Sequence, residues 1–99
     1  MAEIKHLKIT VTGKVQGVFF RASTKAVANQ MGINGFVRNE KDGSVYIEAE
    51  GEIFMVDELV TWCKEGPDGA KVEEVGVIEG ELKNHKGFEI LKNRNGKNC

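Results

Sequence analysis

Residues 33–51 read INGFVRNEKDGSVYIEAEG, two strand-like runs on either side of Asp42-Gly43. Aspartate and glycine tolerate positive φ, so this dipeptide between two such runs predicts a β-hairpin with a two-residue turn. Two antiparallel strands are therefore expected in the middle of the chain.

Upstream, Phe20, Thr24, Val27, Ala28 and Met31 recur at i, i+4, i+7, i+8 and i+11. That is the stripe of an amphipathic helix over residues 21–31, which Gly32 can close. Before it, Leu7, Ile9 and Val11 alternate with Lys8, Thr10 and Thr12, the period of a strand with one buried face, over roughly residues 4–12. Downstream, EIFMVDELVTWCKEGP (52–67) carries Ile53, Val56, Leu59, Val60 and Cys63 at helical spacing, and Gly66-Pro67 ends the helix. KVEEVGVIEGE (71–81) is less regular: Val75 and Val77 alternate after Glu73-Glu74, where a bulge is expected. GFEILK (87–92) is a short final strand, and NRNGKNC (93–99), with no apolar content, is expected to be a mobile tail. The order β-α-β-β-α-β with a short last strand predicts an α+β, ferredoxin-like sandwich, an antiparallel sheet with two helices on one face. One domain covers residues 4–92, with a polar C-terminal tail over 93–99. That plan hosts many unrelated functions and by itself says little about activity.

At 99 residues the chain is long enough for one compact domain, so any site is built within one core. Fourteen Lys and Arg face 15 Asp and Glu, a formal charge of −1, with neither sign gathered in a block. A nucleic-acid partner would call for a basic excess, so none is expected. The longest apolar runs fall far short of the roughly 20 residues of a membrane span, and MAEIKHLKIT lacks the apolar core of a secretory signal, so a cytoplasmic protein is expected. Cys63 and Cys99 have no motif spacing and read as a buried free thiol and an incidental one. His6 and His85 are far apart, and neither is paired at a recurrent ligand spacing, so no metal and no cofactor are expected.

The chemistry-bearing segments lie at the two strand ends. GKVQGVFFR (13–21) joins strand one to helix one. Gly13 and Gly17 allow successive amide N–H groups to turn inward around one small anion, at a helix N-terminus whose free N–H groups favour negative charge. Arg21 sits at that helix start, where the macrodipole mildly disfavours a cation, a placement that makes better sense beside a bound anion. The loop chemistry alone equally allows an ordinary βα connection with turning glycines and an exposed arginine. The loop lacks the Lys-Ser/Thr ending of the nucleotide P-loop, which points to something smaller than a nucleotide. Asn39, at the end of strand two, carries both a donor and an acceptor and can position a water; it can also be plain punctuation beside a turn.

GKVQGVFFR matches the signature G-x-V-Q-G-V-x-F-R, and residues 35–51 match G-aromatic-V-basic-N-x-x-x-G-x-V-x-x-x-x-x-G, both at every fixed position. On these two motifs the chain resembles the acylphosphatase family over about residues 4–92. The resemblance implies that Arg21 binds the phosphate of an acyl phosphate, and that main-chain amides of Val15, Gln16, Gly17, Val18, Phe19 and Phe20 complete the cradle. Asn39 stands where the family positions water. Phe36 replaces a frequent tryptophan, a swap that leaves the chemistry untouched. The implied enzyme hydrolyses small-molecule acyl phosphates without a metal, releases inorganic phosphate, which also competes for the site, and works as a monomer with no membrane partner. The alternative from another class is a non-catalytic anion-binding module, which has no use for a positioned water. An RNA-binding domain of the same fold would need aromatic and basic residues on its central strands, and strand three offers only Tyr46 among Glu48 and Glu50.

Overall fold

The computed structural model describes residues 3–91; Lys92 and the expected tail over 93–99, with Cys99, lie outside the described residues. The elements are β1 (Ile4–Lys14), α1 (Phe20–Gln30), β2 (Asn34–Asn39), β3 (Val45–Glu52), α2 (Ile53–Glu65), β4 (Lys71–Gly80) and β5 (Phe88–Ile90). The sheet order is β4-β1-β3-β2-β5. Alternation along β1 buries Leu7, Ile9 and Val11, and the same face of β2 and β3 buries Val37, Val45, Ile47 and Ala49. The helical stripes meet that face through Phe20, Thr24 and Ala28 of α1 and Val56, Leu59 and Cys63 of α2. The Phe20 ring packs 5.4 Å from that of Trp62, which joins the two helices. Full burial of each Val, Leu or Ile is worth about 1.5–3 kcal/mol, so this one layer, rather than helix propensity, holds α1 and α2 in place.

Two details differ from the sequence expectation. The hairpin turn contains three residues, not two: the N–H of Glu40 donates to the Ser44 carbonyl (2.9 Å), and Gly43 closes the turn onto Glu40 (3.2 Å) with φ +93°. Asp42 is the cause, because its Oδ1 accepts from the Ser44 N–H (2.9 Å) and hydroxyl (2.6 Å), holding Ser44 opposite Glu40 as the pair that closes a turn of Lys41, Asp42 and Gly43. These two bonds hold the Asp42 carboxyl below its usual pKa. The sheet is also not wholly antiparallel. β4 ends where β2 begins, so a strand that crosses to the free edge of β2 must run beside it in the same direction, and β5 pairs in parallel from Gly35↔Phe88 to Val37↔Ile90.

The expected bulge is present. Pairing of β1 with β4 passes from Thr12↔Glu74 to Gly13↔Val72, leaving Glu73 as the extra residue. The bulged backbone crowds Gly13, where a Cβ would collide with the Lys71 carbonyl oxygen, so the φ of +120° and the lack of a side chain are both required.

The far face of the sheet is not plainly solvated. Residues 81–87 cross over it, with the N–H groups of Lys83 (2.6 Å) and His85 (3.1 Å) donating to the Glu50 carboxylate, so that His6 is fully buried.

Candidate active site

The β1–α1 connection enters α1 through an unusual backbone. Gly17 has φ +75°, and Phe19, the residue before the helix, is left-handed at φ 60°, ψ 24°. An aromatic residue in that region carries strain of order 1–3 kcal/mol, and such strain gathers at ligand-gripping sites. No side chain caps α1 and its first turn holds no acidic residue. The helix therefore begins with N–H groups aimed at the loop, the arrangement that favours an anion.

Asn39 comes from the other side. On β2, Gly35, Val37 and Asn39 share the helix-facing side, so the last residue of the strand points towards the start of α1. It is 7% exposed, and its Oδ1 is buried with no hydrogen-bond partner among the described residues. Leaving a buried acceptor unmatched costs about 1–3 kcal/mol, so this atom calls for a donor from outside the fold.

Between these elements lies a cavity of about 290 Å³, lined by Gly17, Phe19, Arg21 and Asn39 together with Val15 and Phe20. That is the small end of the range for ligand pockets, roughly 300–1,000 Å³. Six of the eight residues singled out in the sequence thus meet at one place. Gln16 and Val18 do not line it: Val18 packs on the core, and the Gln16 side-chain amide donates to the carbonyls of Glu40 and Ser44, 2.9 Å each. Gln16 thereby fastens the loop to the hairpin that carries Asn39. Ala22 and Ile90, which lie outside both motifs, complete the lining. Ile90 arrives only because β5 lies beside β2, a pairing that local sequence does not disclose.

The family model described as Acylphosphatase matches residues 7–90. The chain belongs to the acylphosphatase family. An acylphosphatase from Acaryochloris marina is 48% identical over 92 residues, 93% of this chain and 99% of that relative. The acylphosphatase structure from Coxiella burnetii superposes with a TM-score of 0.86 at 35% identity, over 89% of this chain and 93% of that one. Full-length HypF, solved in its phosphate- and nucleotide-bound form, contains a like domain: TM-score 0.88 and 32% identity over 94% of this chain, but 12% of HypF. The chain is accordingly an acylphosphatase enzyme, a hydrolase on a ferredoxin-like α+β fold.

The acylphosphatase cavity has an apolar rim: Phe19 is 82% exposed and Ile90 40%. None of its lining residues is a histidine, cysteine or carboxylate. Among the described residues one group of histidine and carboxylate side chains lies close enough to share a metal ion, His6, Glu48 and His85, and it sits on the far face of the sheet. No helix among the described residues is long and apolar enough to cross a membrane.

Proposed function

We propose that the protein hydrolyses the carboxyl–phosphate bond of small acyl phosphates, giving carboxylate and inorganic phosphate, with Arg21 and the 15–20 loop amides holding the phosphate and Asn39 positioning water. The observation that carries this reading is the buried, unmatched Oδ1 of Asn39 on the same cavity as Arg21. An acceptor oxygen repels a phosphate oxygen, so a mere anion binder gains nothing from it. A water molecule reconciles the two, donating a hydrogen to Oδ1 and presenting its lone pair to phosphorus.

The leaving group is a carboxylate, which needs no proton near neutral pH, in keeping with a lining that offers no general acid. In a loose, metaphosphate-like transition state the water needs little deprotonation, and catalysis reduces to alignment plus neutralisation of the equatorial oxygens. Arg21 and the loop amides provide the neutralisation. A phosphate oxygen of the substrate takes the proton.

The test is metal-free hydrolysis of benzoyl phosphate by purified protein, with inorganic phosphate as a competitive inhibitor and EDTA without effect on turnover. Activity lost in EDTA and restored by a divalent ion would overturn the metal-free mechanism; phosphate binding without turnover would establish the non-catalytic alternative. A cytoplasmic monomer belongs to the same reading, with cell fractionation and sedimentation velocity as its checks.

A further inference from the structure

The far face carries a second cluster, remote from the cavity. His6 on β1 stands opposite Glu50 on β3. Its Nδ1 lies 3.0 Å from Glu50 Oε2 and its Nε2 2.8 Å from Glu48 Oε1, so one buried imidazole is wedged between two carboxylates. The crossing segment adds His85, whose ring stacks on that of His6 at 5.6 Å and meets Phe36 edge-on at 5.8 Å. The His85 Nε2 is buried without a hydrogen-bond partner among the described residues and lies 4.0 Å from the same Glu48 oxygen.

With one proton, His6 can donate to only one of its carboxylates; the other ring nitrogen then faces an acceptor with an acceptor. Those two contacts of His6 leave His85 Nε2 buried beside Glu48, 4.0 Å from its Oε1 and without a hydrogen-bond partner among the described residues. One cation at the centre of the cluster would serve all three groups. We propose that His6, Glu48 and His85 form a site for a single divalent cation of the zinc class.

Four observations support it. The three ligand atoms lie within 4.8 Å of one another, and the shortest pair is 2.8 Å. Metal–ligand bonds of about 2.0–2.2 Å in a tetrahedral site put ligand atoms roughly 3.3–3.5 Å apart, within reach of small ring rotations. Two imidazoles and one carboxylate, with a fourth position for water, is a zinc-type donor set, whereas magnesium and calcium prefer oxygen throughout. Two of the ligands already have an orienting outer partner, Glu50 for His6 Nδ1 (3.0 Å) and the Tyr46 hydroxyl for Glu48 Oε2 (2.7 Å), while the main-chain N–H of His85 donates to Glu50 (3.1 Å) and holds the segment in place. The carboxylates of Glu48 and Glu50 balance a charge of +2. Lys8, within electrostatic reach of Glu48, opposes it, so donor geometry rather than charge alone selects the ion.

The site lies on the opposite face of the sheet from the cavity. Along β3 the ligand Glu48 is three steps from Val45, the partner of Asn39, about 10 Å at the rise of a strand, and it projects from the other face. The ion therefore fastens residues 81–87 to the sheet without touching the reaction. Untagged full-length protein, stripped with EDTA and titrated with zinc chloride in a calorimeter, is expected to bind one equivalent, and a tenfold excess over Kd to raise Tm by about 5–10 °C. Magnesium chloride at the same concentration should do neither, and benzoyl phosphate turnover should be the same with zinc and with EDTA. His85→Ala, on an irregular and partly exposed segment, should fold and lose at least tenfold in zinc affinity, while Cys99→Ser should keep it. No zinc binding by the folded protein overturns the proposal, as does binding that survives His85→Ala or vanishes in Cys99→Ser. Because a His6 variant can fail to fold, the decisive second readout is ¹⁵N imidazole NMR of the wild type. Zinc should shift the Nε2 resonances of both His6 and His85; a shift in neither, or in only one, refutes the shared site.

Discussion

The Gln16 side-chain amide donates to the carbonyl oxygen of Glu40 at 2.9 Å, tying the loop that ends in Arg21 to the residue that follows Asn39. Its second bond, to the Ser44 carbonyl, spans the other side of the hairpin turn. Removal leaves neither carbonyl orphaned, because Glu40 O still accepts from Gly43 and Ser44 O from Glu40. Gln16→Ala is therefore expected to cost only about 1–3 kcal/mol of stability, two ordinary hydrogen bonds. On the roles proposed for the loop and Asn39, turnover should fall further, by about 10–100-fold, since the 13–21 loop loses its registration against Asn39. Chemical denaturation and benzoyl phosphate kinetics on the same variant check this; unchanged kcat would show that Gln16 only braces the fold.

Arg21 and Asn39 line one cavity, and kinetics can separate the tasks proposed for them. Arg21→Ala should lower kcat/KM by two to three orders of magnitude and raise the inhibition constant of inorganic phosphate if, as proposed, its charge holds the anion. Asn39→Ala should lose a comparable factor in kcat while the phosphate inhibition constant stays within about threefold. The side chain buries an acceptor without a partner, so its removal should not reduce stability by more than about 1 kcal/mol. Near-normal turnover by Asn39→Ala contradicts the positioning of water.

Legibility in the sequence followed the range of the physical signal. Leu7, Ile9 and Val11, the α1 stripe from Phe20 to Met31 and the bulge at Glu73 are local patterns, and each stands where the periodicity puts it. The turn at Asp42 is one residue longer than Asp42-Gly43 implies, because a side-chain bond to Ser44, not backbone propensity, sets its length. The parallel pairing of β5 and the place of Ile90 depend on which edge remains free after the other strands have paired. Alternation also marks His6 and Glu50 as outward-facing, yet both are buried, since residues 81–87, with no periodicity of their own, lie across them. Arg21 and Asn39 stand out in the sequence through their motifs; the αL conformation of Phe19 and the Gln16 tie arise from tertiary contacts that no local pattern encodes.

Phe19 offers a test of the strained entry to α1. Its ring is 82% exposed, so truncation removes little packing, while glycine relieves the left-handed backbone. Phe19→Gly is expected to melt within a few degrees of wild type or above it, the relief of strain offsetting the greater freedom of the unfolded chain. The lost apolar rim should be felt in selectivity: kcat/KM for benzoyl phosphate falls several-fold relative to that for acetyl phosphate. A variant that melts far lower, with selectivity unchanged, would assign the ring to packing instead.

Cys63 gives a pH dependence whose sign follows from burial. The thiol is fully buried on α2, and desolvation, which disfavours the thiolate, pushes its pKa up from 9.0 to about 12. The folded state thus holds the proton more tightly than the unfolded chain, so this contribution is complete below about pH 9 and is lost as pH rises from 9 towards 12. At pH 10.5 the loss from this one group is up to about 2 kcal/mol. Tyr46, also raised to about 12 chiefly by burial, loses stability in the same direction, so Cys63→Ala should reduce the alkaline decline without abolishing it. The comparison is the drop in Tm between pH 8 and pH 10.5, which should be smaller in Cys63→Ala than in wild type even though the variant melts lower at pH 8. Peptide mapping supplies the independent measurement: iodoacetamide at pH 8.5 should leave the Cys63 peptide unlabelled in native protein and label it only along the denaturation curve. Labelling of Cys63 under native conditions at a rate typical of a free thiol would mean that α2 opens locally and that the thiol is not held in the core.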